Sequence, residues 1–142
     1  MQKNNSSNRV IVIDDDVIDV TFLQRAVTKF DKNVELVHIY ETDGIEKKLE
    51  QENVSCILLD LKMPKEDGFS VLKRIRKNAL LKLCPVVIFS SSSNPSDIRA
   101  CYESGANAYT VKPSSITEYE NFAQNFLRFW IKEARLPSEL TT

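Results

Sequence analysis

Three runs in the chain are apolar at every position: VIVI at 10–13, CILL at 56–59 and PVVIF at 85–89. A strand with one wet face alternates polar and apolar residues, so a run with no alternation must be covered on both faces. Between these runs the apolar residues change period. Leu23, Ala26, Val27 and Phe30 recur at helical spacing, as do Ile45 and Leu49, and then Val71, Leu72 and Ile75. Two more segments, VELVHIY at 34–40 and AYTV at 108–111, read as strands of more mixed character. Strand and helix therefore alternate five times, which predicts an α/β fold: a doubly wound, five-stranded parallel sheet with five helices on its two faces. Right-handed crossovers limit the topology, and the flavodoxin-like strand order 2-1-3-4-5 is the simplest that leaves VELVHIY at an edge.

Punctuation supports these elements. Asn94 is placed to cap a fourth helix over 96–104, with Pro95 at its first position and Gly105 as its stop. Thr117 and Glu120 have capping-box spacing ahead of Phe122, Ala123, Phe126, Leu127 and Trp130 in a fifth helix.

The chain of 142 residues fits one core, read as a single unit over 9–134 between a flexible N-terminus at 1–8 and a tail at 135–142, with no room for a second domain. The formal net charge of −1 provides no field for nucleic acid or an anionic membrane. The opening MQKNNSSN has no apolar core of a signal peptide, and no apolar run is long enough to span a bilayer. Cys56, Cys84 and Cys101 are odd in number and sit among apolar residues, as reduced thiols filling core space. A cytoplasmic location is expected.

In a sheet of this order, ligands bind beyond the carboxyl ends of the strands, at the switch point between strands 1 and 3. VIVI runs into Asp14, Asp15 and Asp16, and CILL into Asp60, so the two neighbouring strands aim carboxylates at one cleft. Unpaired, these would repel one another; a hard divalent cation such as Mg²⁺, which takes oxygen ligands, resolves the repulsion. The plainer alternative is that the three consecutive acids cap the first helix. Strand 4 ends in Ser90 and strand 5 in Lys112-Pro113, a hydroxyl and an ammonium suited to phosphoryl oxygens. One carboxylate would be left free to attack phosphorus.

The motifs IDDD after strand 1, LLDLKMPKEDG around strand 3, the hydroxyl of Ser90 and YTVKP at strand 5 together resemble the response-regulator receiver domain of two-component signalling, over about residues 9–132. The resemblance implies that Asp60 accepts a phosphoryl group from a histidine kinase. It implies that Asp14 and Asp15, with Asp16 as the alternative member, hold Mg²⁺ together with Asp60 and the backbone carbonyl of Lys62. It also implies that Ser90 and Lys112 contact the phosphoryl oxygens, and that the Lys112-Pro113 bond is cis. Pro64 would restrain the loop after Asp60, with Gly68 taking a backbone conformation other residues avoid.

By the same resemblance, Ser90 and Tyr109 form the switch that remodels a face made by helix 4, strand 5 and helix 5, and Lys62 and Ser92 sit where dephosphorylation is tuned. Ser114 stands where an aromatic is usual. The aromatic-rich NFLRFWIKEA is similar to single-domain regulators paired with bacterial phytochrome kinases, some of which dimerise, leaving Phe129 or Trp130 for a partner. His38, the sole histidine, is expected to be neither catalytic nor a metal ligand.

Other classes fit less well. A haloacid-dehalogenase-type phosphatase carries a second aspartate where this chain has Lys62, and a cap insertion besides. A flavodoxin-like cofactor binder needs an anion-binding loop after strand 1, where IDDDVID repels phosphate.

Overall fold

The computed structural model describes residues 8–137. Five strands, β1 (Arg9–Ile13), β2 (Glu35–Ile39), β3 (Cys56–Leu59), β4 (Val86–Ser90) and β5 (Ala108–Val111), alternate with five helices, α1 (Val17–Phe30), α2 (Ile45–Gln51), α3 (Gly68–Lys77), α4 (Pro95–Glu103) and α5 (Ile116–Phe126). All strand pairs are parallel, in the order 2-1-3-4-5. The expected flavodoxin-like arrangement is present, with β2 and β5 as its edges.

The period of two along each strand divides the core. Ile11, Ile13, Ile57, Leu59, Val86 and Ile88 face one layer, where they meet Ile45 and Leu49 of α2, Val71, Leu72 and Ile75 of α3, and Cys101 of α4. Val10, Val12, Cys56, Leu58, Val87 and Phe89 face the other, where α1 and α5 contribute Val20, Leu23, Ala26, Val27, Tyr119, Ala123, Phe126 and Leu127. The three apolar runs are thus central strands with both sides dry. Cys56, Cys84 and Cys101 are free thiols, and burial raises the pKa of each.

Helix ends mostly follow local chemistry. Asn94 caps α4 through its side-chain oxygen and the Ser96 N–H, Pro95 opens the helix, and Gly105 follows with a φ of 105°. The capping frame of α5 differs from expectation: Ser115, not Thr117, is the cap, and it accepts from the N–H of Glu118 at 3.1 Å. The Glu118 carboxylate in turn accepts from Ser114 at both N–H and hydroxyl. Two Ser/Thr-x-x-Glu frames overlap there, and the earlier one lets Tyr119 enter the core. Beyond Phe126 the helix widens into a π-helical stretch, Leu127–Glu133, closed by the Ala134 N–H on the Phe129 carbonyl. Leu127 is buried while Phe129 is 54% exposed and set edge-on against Trp130.

Two backbone expectations need correcting. Among the described residues no peptide bond is cis, so Lys112-Pro113 is trans; the isomers of such a bond differ by only about 0.5–1 kcal/mol, so the local sequence does not choose between them. Gly68 has no positive φ. A side chain is excluded there because a Cβ would stand 2.2 Å from the Asp60 carbonyl oxygen and 2.9 Å from the Leu61 Cα.

Candidate functional site

Asp14, Asp60 and Lys112 are each the first residue beyond a strand, and each is still clamped by the adjoining one. The Asp14 N–H donates to Ile39 at 3.1 Å, that of Asp60 to Ile13 at 2.9 Å, and that of Lys112 to Ser90 at 2.8 Å. Sheet hydrogen bonding therefore runs one residue into the site, and fixes where these side chains start.

Asp14, Asp15 and Asp60 each offer a carboxylate oxygen, all within 4.8 Å of one another. Asp14 and Asp60 are buried and Asp15 is exposed. Asp16 has the other role considered for the acid run: its carboxylate accepts from the N–H groups of Ile18 and Asp19 and caps α1. Of the acid run, Asp16 thus takes the capping role, while Asp14 and Asp15 are the members that converge with Asp60.

The Lys112 ammonium, 7% exposed, lies 2.9 Å from Asp14 Oδ2, 2.9 Å from Asp19 Oδ2 and 3.6 Å from Asp60 Oδ2, with the Phe89 ring beneath it at 5.8 Å. One cation thus faces several acids. Burial raises the Asp14 pKa, and burial together with the Asp14 charge lifts that of Asp60 to about 6. For Lys112 burial acts against the charged form, yet the Asp14 and Asp19 carboxylates beside it outweigh burial and the pKa rises. The negative charge left over, carried by hard oxygen donors at one point, suits Mg²⁺ or a similar ion.

These groups border an open cleft of about 520 Å³, lined by Asp15, Asp16, Val17, Ile18, Asp19, Asp60, Lys62, Ser91 and Lys112. Ser90 stands behind it, fully buried, with its hydroxyl oxygen accepting from the Ser92 N–H at 3.1 Å. Ser91, rather than Ser90, lines the wall, because Ser90 is the last residue of β4 and its side chain points into the protein. Leu61 N–H donates to Asp60 Oδ1 at 2.9 Å, orienting the carboxylate.

On the far side of the cleft, Ser92 Oγ donates to Asp97 Oδ2 at 2.7 Å, and Lys62 Nζ lies 3.7 Å from the same oxygen. The Tyr109 hydroxyl donates to the Ser92 carbonyl at 2.8 Å, and its ring packs half-buried against the core. His38 lies on the edge strand, with Nε2 2.7 Å from the Asp14 carbonyl oxygen. Sequence reading missed three participants: Asp19, Asp97 and Tyr119. Asp19 lies within the first turn after the Asp16 cap and could have been found from that spacing. Tyr119 was hidden by the misplaced cap of α5, and Asp97 reaches Lys62 only through the fold.

A parallel sheet of this order, with clustered carboxylates and a buried lysine at its carboxyl edge, defines a phosphoaccepting signalling domain of the α/β class. The chain belongs to the response regulator receiver domain family, whose profile matches residues 10–123. It is 30% identical to the response regulator Rcp1 of Synechocystis sp., over 96% of this chain and 97% of Rcp1. The crystal structure of the phosphorylated cyanobacterial phytochrome response regulator RcpA superposes with a TM-score of 0.83 at 29% identity, covering 92% of this chain and 98% of RcpA. The Mn²⁺-bound form of Rcp1 gives a TM-score of 0.80 at 29% identity, with 92% and 99% covered. The protein is a phosphoaccepting receiver domain with an acidic site at Asp14, Asp15 and Asp60, a signalling switch rather than a classical enzyme. Its metal-type site is the one receiver domains share. Among the described residues no helix is long and apolar enough to cross a membrane.

Proposed function

We propose that Asp60 is the phosphoacceptor, taking its phosphoryl group from a phosphohistidine of a histidine kinase, and that the charge gained there remodels a protein-binding face. The observation that carries this reading is the convergence of Asp14, Asp15 and Asp60 within 4.8 Å, with the Lys112 ammonium 3.6 Å from Asp60.

Asp14, Asp15, Asp60 and the Lys62 carbonyl would hold Mg²⁺. Bound there, it would neutralise the carboxylates and draw in phosphoryl oxygens. An Asp60 oxygen attacks phosphorus, the P–N bond breaks, and the imidazole nitrogen leaves with the electron pair. Lys112 meets the charge on the transferring group from the β5 side. The Ser90 hydroxyl accepts from Ser92 and so keeps its own proton to donate to a phosphoryl oxygen. Turning Ser90 towards Asp60 releases the Ser92 N–H. Because the Ser92 carbonyl also holds the Tyr109 hydroxyl, motion of this loop reaches Tyr109 and the face of α4, β5 and α5.

The receiver unit is taken as 9–134, with 1–8 and 135–142 as terminal segments. The RcpA and Rcp1 relatives support a phytochrome-type kinase as partner, and the exposed Phe129 beside Trp130 supports a homodimer. No nucleic acid or membrane partner is assigned, and reduced thiols favour the cytoplasm.

Acetyl phosphate with Mg²⁺ is expected to produce a retarded band on a Phos-tag gel. No Mg²⁺-dependent shift in the wild type, or an unchanged shift in Asp60→Asn, rejects the phosphoacceptor reading. For the dimer, sedimentation with and without beryllofluoride decides: a monomer in both states retires that part.

A further inference from the structure

Asp19 belongs neither to the carboxylates that converge for a cation nor to the cap of α1, which is Asp16. Both of its oxygens are nevertheless engaged. Oδ2 accepts from Lys112 Nζ at 2.9 Å, and Oδ1 accepts from the Tyr119 hydroxyl of α5 at 3.2 Å. Tyr119 is itself buried, packed between Phe22 and Phe89, so the direction of the Asp19 carboxylate is set by the core.

An ammonium has three protons to give and no acceptor. The other two carboxylates near Lys112, Asp14 and Asp60, both belong to the cation cluster. A lysine with only those partners would compete with a divalent ion for the same oxygens. Among the described residues, Asp19 is the acidic neighbour of Lys112 outside that cluster, so its negative charge stays with the lysine when the cluster is occupied. It pulls from the α1 side of the cleft, away from Asp14 and Asp60.

We propose that Asp19 is a positioning residue for phosphoryl transfer: aimed by Tyr119, it anchors the Lys112 ammonium at the cleft wall from outside the cation cluster, so that when a cation takes up Asp14 and Asp60 the lysine stays in place with protons to give to a phosphoryl oxygen. Asp19 touches none of the reacting atoms. The inference rests on the phosphoacceptor reading above, because a lysine with no phosphoryl group to meet needs no aiming.

The test compares wild type, Asp19→Asn, Asp19→Glu and Tyr119→Phe in Mg²⁺-dependent labelling by acetyl phosphate, with donor and Mg²⁺ each titrated to saturation. Asp19→Asn, which preserves shape and removes the charge, is expected to slow labelling at saturating donor about tenfold and to raise the half-saturating Mg²⁺ concentration several-fold. Asp19→Glu restores most of both losses, and Tyr119→Phe slows labelling about threefold. A role confined to tying α1 to α5 would lower the melting temperature of Asp19→Asn and leave its rate and Mg²⁺ requirement alone, and that result overturns the inference. So does a Glu variant as slow as the Asn variant. Should Asp19→Asn not fold, an unchanged rate in Tyr119→Phe overturns it. Unlabelled wild type defeats the phosphoacceptor reading and this inference with it; normal labelling of wild type and an indifferent Asp19→Asn defeat this inference alone.

Discussion

Asp60 carries a charge that the metal-free fold resists. Its carboxyl is raised to about 6 by burial and by the Asp14 charge, above the ordinary 3.8. A carboxyl raised in the folded state binds protons that the unfolded chain has already released, so its contribution to stability is full below about pH 4 and is lost as pH rises through about 6. The Asp60 contribution to the stability of metal-free protein is therefore expected to fall by about 1–2 kcal/mol between those values, solvent screening discounted, read as the difference between wild type and Asp60→Asn. Urea titrations of both in EDTA at the two pH values check this. Gly68 sets a steric condition on the same residue. Its missing Cβ would lie 2.2 Å from the Asp60 carbonyl, so Gly68→Ala must move the loop or the strand end, at a cost of about 1–3 kcal/mol. Its denaturation midpoint should fall and its Mg²⁺ affinity with it; an unchanged affinity would show that the loop yields and the site does not.

Among the elements, α2, α3 and the loop that follows β3 are joined by one guanidinium. Arg74 donates to Glu46 through Nε at 2.8 Å and a terminal nitrogen at 2.6 Å, to Glu66, and to the Thr42 carbonyl at 3.2 Å. The Thr42 hydroxyl closes the ring by donating to Glu66 at 2.8 Å. Glu66 lies in the loop that starts at Asp60, so this fork steadies the backbone around Lys62 from outside the cleft. Only a planar fork makes the paired bonds, and a lysine supplies a point charge instead. Arg74→Met is expected to lose about 1–3 kcal/mol, less at high salt, with Arg74→Lys recovering only a part. Equal stability of Met and wild type in chemical denaturation would reduce the network to a surface ornament.

At the scale of the whole molecule, the site is a junction of layers. Asp14 and Asp60 come from adjacent central strands, Lys112 from an edge strand, Asp19 from α1 and Tyr119 from α5. A cation that binds only this assembled arrangement stabilises the fold by mass action, by about 2.7 kcal/mol at a hundred times its Kd. Mg²⁺ should raise the melting temperature of the wild type, and Asp14→Asn should remove most of the rise, as differential scanning fluorimetry would record.

Much of this was legible in the residues themselves. Uninterrupted apolar runs imply strands covered on both faces, the helical period between them implies crossovers, and acids directly after VIVI and CILL imply a charged cleft at one edge. Those signals are local, because periodicity and strand ends are properties of short segments. The division of labour among Asp14, Asp15 and Asp16, the trans Lys112-Pro113 bond, the Ser115 cap and the partnership of Asp19 with Lys112 were decided only by the tertiary structure. Each is a choice among alternatives nearly equal in energy in the isolated chain. Residues as far apart as Asp19 and Tyr119 settle such choices only once the layers pack.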